Sequence, residues 1–425
     1  MKLSKQLAGV ALASVMLAAC GGTSTGGGAA SGCTQLNALR TVGGSVQVAQ
    51  GAGGQAIAAQ VVSRQPNAAT AVIKIGSIGP LTGDQQAIGV DEKNGVDLAI
   101  AEANAAGGVT VGGKTYTLQI DAKDDQHDPQ LAVTGAQQLA DDGVVAVVGH
   151  LNSGASIPAS AIYHDKGITQ ISPSATNPKL THQGFNNVFR VVGQDISQGK
   201  ADADFMVKTL GCKKVGIVDD KTAYGQGLAD YVNTGVSSAG GTVVGREHTT
   251  DKDTDFTAQL TSLKGKSPDV IFFGGIYPQG GPMAAQIKKL GMTNVPLVGG
   301  DGIHSGKFIE LAGDNKDGNF ASDAGPDNTL IAGFADFNSR YKAKFGQDVV
   351  QYAPEAYDAA NIIINAIKQA GPDKGKIRDA VAATKGYKGV VQTYTFDANG
   401  DILDAVWTLY KVVGGKWKAL KTVSA

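Results

Sequence analysis

The chain is short of cysteine, of aromatic residues, of long apolar runs and of any excess of one charge. Its 3 cysteines form no CxxC pair and its 6 histidines are scattered, so no metal site is expected. The 37 basic residues balance 38 acidic ones and form no stripe, which argues against nucleic acid as a partner. No run of 18 apolar residues occurs, so nothing is expected to span a membrane in the mature form. What is abundant is glycine, 59 residues, within a chain that is 42% apolar and only 6% aromatic. That profile fits a soluble α/β protein built on Ala, Val, Ile and Gly. At 425 residues, two lobes are the natural expectation.

The motifs of catalysis are also missing. Ser305-Gly306-Lys307 is followed by Phe308, where a phosphate loop needs Ser or Thr. No GxGxxG follows a strand. Ser197 and Lys200 match SxxK without its companion motifs. Asp251, Asp253 and Asp255 imitate the start of a calcium loop, but Phe256 replaces its glycine and Ser262 its bidentate acid. No cofactor and no enzymatic activity are expected.

The first twenty residues carry a different signal. Lys2 and Lys5 precede an apolar run from Leu7 to Leu17, and Leu17-Ala18-Ala19-Cys20 follows. A charged start, a short apolar stretch and small residues at the cut describe an export signal over 1–19. Cys20 at the first mature position resembles the bacterial lipoprotein box, in which that thiol is acylated. Residues 20–70 then read as a lipidated cysteine and a Gly-, Ser- and Ala-rich tether. Export permits a disulfide between Cys33 and Cys212, and two unpaired thiols remain the alternative.

From Ala71 onward strands and helices alternate. Strands are expected at 72–78, 114–124, 144–149 and 167–172, and again at 213–220, 242–248, 268–275 and 296–302. The apolar run 144–149 reads as a strand of a parallel sheet covered on both faces. Helices are expected between these strands, two more at 334–345 and 354–370, and closing strands turn at Asn399-Gly400 and Gly414-Gly415. Two successive βαβ series predict two doubly wound parallel-sheet lobes. Lobe 1 is expected to hold 71–194 and 325–391, lobe 2 to hold 195–324 and 392–425.

Ligands of such sheets bind beyond the carboxyl ends of the strands. Three loops there carry chemistry. Ser153 opens a helix, whose free N–H groups suit a carboxylate, although Ser153 can equally cap its own helix. Ser174 and Thr176 follow a strand and offer a carbonyl, an N–H and hydroxyls, or merely form a turn. Asp301, between glycines in the second series, can meet an ammonium. Together these loops supply an anion site and a cation site, the minimum for gripping an α-amino acid.

The segments KIGSIGPLTGDQQAIG, DDQHDPQLAV, VVGHLNSGASIPAS, ISPSATNPKLT, IVDDKTAYGQGLAD and VGGDGI resemble the bacterial leucine/isoleucine/valine-binding proteins. These are amino-acid receptors of branched-chain ABC importers, with a periplasmic binding protein type 1 fold whose lobes join at a multi-strand hinge. The resemblance implies that Ser153 and the backbone at Thr176 hold the ligand carboxylate. It implies that the Ser174 carbonyl, the Thr176 hydroxyl and Asp301 hold the ammonium, and that Tyr224 closes from the second lobe. Asn152 and Ala175 flank these positions. The implied partners are an amino acid, an inner-membrane ABC permease and a membrane reached by the lipid anchor alone. Departures concern the side-chain wall. Asp301 stands where some relatives carry Glu. His127 and Asn152 replace a cysteine pair. Ile88 and Ile276 stand at positions that can be aromatic, with Tyr277 and Tyr352 as possible replacements. An amide, a urea or an aromatic acid on the same fold is therefore the alternative ligand class.

Overall fold

The computed structural model describes residues 71–424. The export signal, Cys20, Cys33 and the tether lie outside the described residues. Among the described residues no helix is long and apolar enough to cross a membrane, and no metal-binding cluster of His, Cys, Asp or Glu occurs.

The first sheet contains β1 (Ala71–Gly79), β2 (Val109–Val111), β3 (Lys114–Asp124), β4 (Ala146–Gly149), β5 (Thr169–Ser172) and β6 (Val188–Arg190), in the order β2-β3-β1-β4-β5-β6. All neighbours are parallel except β2 and β3, which form a hairpin. Its turn is Gly112-Gly113, both at positive φ, as a two-residue hairpin turn requires. Helix α1 (Gln86–Ala105) covers one face, and α2 (Pro129–Asp141) and α3 (Ser153–Asp165) the other. Asp128 caps α2 through the N–H groups of Gln130 and Leu131, and Pro129 takes the first helical position.

The second lobe starts with α4 (Asp195–Asp204), which runs into a π-turn at Phe205–Thr209. Strands β7 (Lys214–Asp219), β8 (Thr242–His248), β9 (Val270–Gly274), β10 (Leu297–Gly299) and β11 (Phe320–Ala324) pair in parallel. Helices α5 (Ala223–Ser238), α6 (Thr257–Gly265), α7 (Tyr277–Lys289) and α8 (Gly306–Ala312) alternate with them. Phe205, Phe256, Phe272, Phe273, Phe308 and Phe320 are buried in this core.

After β11 the chain returns to the first lobe as α9 (Phe334–Phe345), α10 (Ala353–Ala370) and α11 (Lys374–Ala382), followed by the short pair β12 (Tyr387–Lys388) and β13 (Thr393–Tyr394). Helix α10 lays Ala356, Ala359, Ile363 and Ile367 into the first core. Spaced by three or four, these positions form one helical face. β14 (Val406–Val412) and β15 (Trp417–Ser424) finish the second sheet, antiparallel and turned by Gly414-Gly415. Tyr394, Phe396, Ile402 and Ala405 still pack in the first core, so the last passage between lobes follows Ala405 instead of falling between 391 and 392. The segment 393–402 turns at Asn399-Gly400 as expected, with Phe396 bridging Ile402 antiparallel across the turn. Asp397 accepts from the N–H groups of Asn399 and Asp401 and bends it.

Candidate functional site

The two lobes meet across a cavity lined by Ile88, Leu151, Asn152, Ser153, Ser174, Tyr224, Ile276, Asp301, Gly302 and Tyr352. The first-lobe residues come from α1, the β4–α3 loop and the β5 loop. Tyr224 starts α5 beyond the end of β7, Ile276 lies just beyond β9, and Asp301 and Gly302 just beyond β10. Larger hollows lie elsewhere, along 192–197 with 401–406 and beside α4.

The amino end of α3 faces this cavity uncapped by any side chain. Ser153 does not cap its own helix. Asn152 is the N-cap residue, and its amide instead donates to Gln85 Oε1 at 2.8 Å. The Ser153 hydroxyl accepts the Asn177 N–H at 3.3 Å. The first-turn N–H groups and their positive potential are thus left for an anion.

The 172–177 loop is braced from below. Ser172 Oγ accepts the Ala175 N–H, and Ser174 Oγ donates to the Leu151 carbonyl at 3.1 Å. The fully buried Arg190 donates to the carbonyls of Ala175 and Asn177 at 2.7 and 2.9 Å, and pairs with Asp401 at 2.6 Å. Ala175 therefore supports the loop and does not line the cavity. Thr176 is buried beside it. Its hydroxyl lies beside the Asp195 carboxyl, and its carbonyl accepts the Asp195 N–H at 3.0 Å.

Asp301 is the acid of the cavity, only 2% exposed. Oδ1 accepts from Tyr224 at 2.8 Å and from the Gln198 amide at 2.8 Å, and Oδ2 accepts from Tyr352 at 2.5 Å. The Tyr224 oxygen already accepts the Gly302 N–H at 3.0 Å, so its proton points at Asp301. Burial pushes the Asp301 carboxyl above its ordinary range, and these donors oppose that shift by favouring the charged form. Glycine on either side is a steric need. A Cβ at Gly300 would lie 2.7 Å from the Tyr224 hydroxyl, and one at Gly302 only 2.7 Å from the Gly275 carbonyl.

Tyr352 comes from the chain entering α10 and lies on the cavity wall. Tyr277 does not. Its hydroxyl reaches across the cleft mouth to the Asp84 carbonyl at 2.6 Å, and Asn177 Nδ2 reaches the Ala223 carbonyl at 2.7 Å. These contacts span the lobes, so the cleft is closed. Ile88 and Leu151 pack with the apolar residues of the second lobe.

Leu151, Gly302, Gln198, Gln351 and Asp195 were not anticipated. The signal for two of them was the polar row Asp195, Gln198, Asp202 at helical spacing on a face that is fully buried. Burial raises the Asp195 carboxyl to about 7, against the Thr176 hydroxyl beside it, which favours the charged form. Ser197 accepts from Trp407 Nε1 and Lys200 is exposed, so the SxxK match pairs nothing.

A family model described as periplasmic binding protein matches residues 72–416. The chain belongs to the periplasmic binding protein family. Leu/Ile/Val-binding protein homolog 3 of Brucella melitensis is 33% identical over 352 residues, 82% of this chain and 94% of that protein. Leu/Ile/Val-binding protein BraC3 of Rhizobium johnstonii is 34% identical over 84% of this chain and 95% of its own length. The crystal structure of the branched-chain amino acid transporter substrate binding protein LivJ from Streptococcus pneumoniae, in complex with isoleucine, shares 32% identity and a TM-score of 0.77. That match covers 83% of this chain and 100% of the other. The two-lobed arrangement is thus that of the type 1 periplasmic binding proteins, a family of solute-binding proteins of transporters and not of enzymes.

Proposed function

We propose that this chain is an exported, lipid-anchored receptor that binds a branched-chain aliphatic amino acid between its lobes and delivers it to an ABC permease. The observation that carries the reading is one closed cavity with opposite polarities at its rim. An uncapped helix start with Ser153 lies on one lobe, and the buried acid Asp301, held by three donors, on the other. A zwitterion satisfies both at once. Its carboxylate meets the N–H groups and hydroxyl of α3, and its ammonium meets Asp301 with Thr176 and the Ser174 carbonyl. Charge-assisted hydrogen bonds of this kind strengthen as closure removes water. Ile88, Leu151 and Ile276 give the remaining wall an aliphatic character suited to a branched side chain. The names of the relatives support the same class.

Export and anchoring rest on Lys2, Lys5, the apolar run and Cys20. Several acyl chains at about 0.8 kcal/mol per buried CH₂ hold a protein durably to a membrane. Two experiments test the reading. Mass spectrometry of small molecules released on denaturation should identify leucine, isoleucine or valine. Intact-mass analysis of membrane-extracted protein should show an acylated chain starting at Cys20, and loss of both acylation and membrane retention in Cys20→Ser. An unmodified chain beginning elsewhere contradicts the anchor.

A further inference from the structure

The mouth of the cleft holds a charged cluster that the ligand cavity does not use. Its centre is His127, in the loop between β3 and α2. Gln126 and His127 both have positive φ, 48° and 54°, and the Asp125 carboxylate accepts the His127 N–H at 3.0 Å. This tight turn aims the ring out of the first lobe. Nε2 lies 3.2 Å from Asp84, in the loop after β1 of the same lobe. Nδ1 lies 3.5 Å from Asp251, in the loop after β8 of the opposite lobe. The Asp251 loop is held in turn by Gln279 of α7, whose amide donates to the Asp251 carbonyl at 2.5 Å.

We propose that His127 is a positioning residue for closure, its ring tying the two lobes together by standing between Asp84 of one and Asp251 of the other. This inference rests on the reading of the cleft as a closing ligand site. Without a cation at this point, closure brings two carboxylates together at the mouth. With a protonated imidazole between them, the same approach is attractive.

The surrounding groups act in one direction. The Asp84 carboxylate, hydrogen-bonded to the ring, raises the His127 pKa above the ordinary imidazole value. Burial opposes this, and Asp251 and Asp125 add to it. His127 in return lowers Asp84. Tyr277 of α7 binds the Asp84 carbonyl, and Asp220 at the end of β7, pushed up to about 6 by burial, faces Asp251. Asp84 and His127 share a lobe, so their pair survives opening. Only the Asp251 contact is made by closing. The imidazole therefore binds its proton more tightly in the closed form than in the open one. Affinity gained from this contact is present while His127 is protonated in both forms, and is lost as pH rises through its raised closed-state pKa.

Isothermal calorimetry with isoleucine from pH 5.5 to 8.5, on wild type, His127→Gln and Asp251→Asn, tests the proposal. Asp195 titrates in the same range, so the comparison between variants decides. At low pH wild type should bind about two- to five-fold more tightly than either variant, the range of a partly exposed ion pair, and the ratio should fall to one at high pH. A ratio that does not change with pH overturns the proposal. If wild type binds no amino acid at any pH, it is the ligand reading that fails. X-ray scattering of the unliganded proteins then carries the test. Opening of wild type with rising pH, absent in His127→Gln, supports the clasp, and parallel behaviour of the two refutes it.

Discussion

Asp301 is held in place by the side chains around it. Tyr224, Gln198 and Tyr352 fix both oxygens, and Gln351 binds its carbonyl at 2.8 Å. Removing a buried charged partner of a ligand ion costs about 2–5 kcal/mol, so Asp301→Ala should weaken isoleucine binding roughly 30-fold or more by calorimetry. Ser153→Ala removes a charge-assisted hydrogen bond of about 1.5–3 kcal/mol and should cost roughly ten- to 150-fold. Unchanged affinity in both variants would refute the site. Ser153, Ser174, Tyr224 and Asp301 were legible because each lies just beyond a strand that the apolar runs disclose. Their supports were not. Gln198 meets Asp301 across 103 positions and Arg190 meets Asp401 across 211, and no local pattern encodes such pairings.

At the scale of elements, the parallel strands were legible because β4 and β9 are buried along their whole length and read as apolar runs. Helix α7 was harder. The sequence suggests a helix over 281–291, and the helix begins one turn earlier, at Tyr277, carrying Gly280, Gly281 and Pro282 inside it. Gly281 is a packing glycine, since a Cβ there would lie 2.5 Å from the Leu311 Cβ of α8. The entry into α10 depends on one acid of α1. Asp91 accepts the N–H groups of Val350, Gln351 and Ala353 and the Tyr341 hydroxyl, all within 2.9 Å. This clasp sets Gln351 and Tyr352 against Asp301. Asp91→Ala leaves these buried donors unpaired and should cost about 3 kcal/mol of stability. Denaturant unfolding should show a lower midpoint, together with weaker ligand binding. A variant with wild-type midpoint and affinity would contradict the role given to Asp91.

The whole molecule buries an unusual set of carboxyls. Burial raises Glu92, Asp195, Asp202 and Glu355, with Asp195 near 7, and Asp220 and Asp358 near 6. A carboxyl raised on folding keeps its proton in the native state after the unfolded chain has lost it. Its effect is to lower stability progressively as pH rises from the ordinary carboxylate range through the raised value. The unliganded protein should therefore melt at a lower temperature at pH 8 than at pH 5. Asp195→Asn should melt above wild type at pH 8 and level with it at pH 4.5. A gain independent of pH would contradict the assignment. Ligand should raise the melting temperature as well, since binding at 100-fold above Kd stabilises by about 2.7 kcal/mol.

The central claim is that the cleft reads both ends of an α-amino acid. Calorimetric titration of protein freed of ligand by denaturation and refolding tests it, using isoleucine, 3-methylpentanoate without the ammonium, 2-methylbutylamine without the carboxylate, and benzoate. Isoleucine should bind, and each molecule lacking one charge should bind at least 100-fold more weakly, since each leaves one buried polar site unpaired. Equal binding of the carboxylates and isoleucine would contradict the account and leave Asp301 without a ligand role.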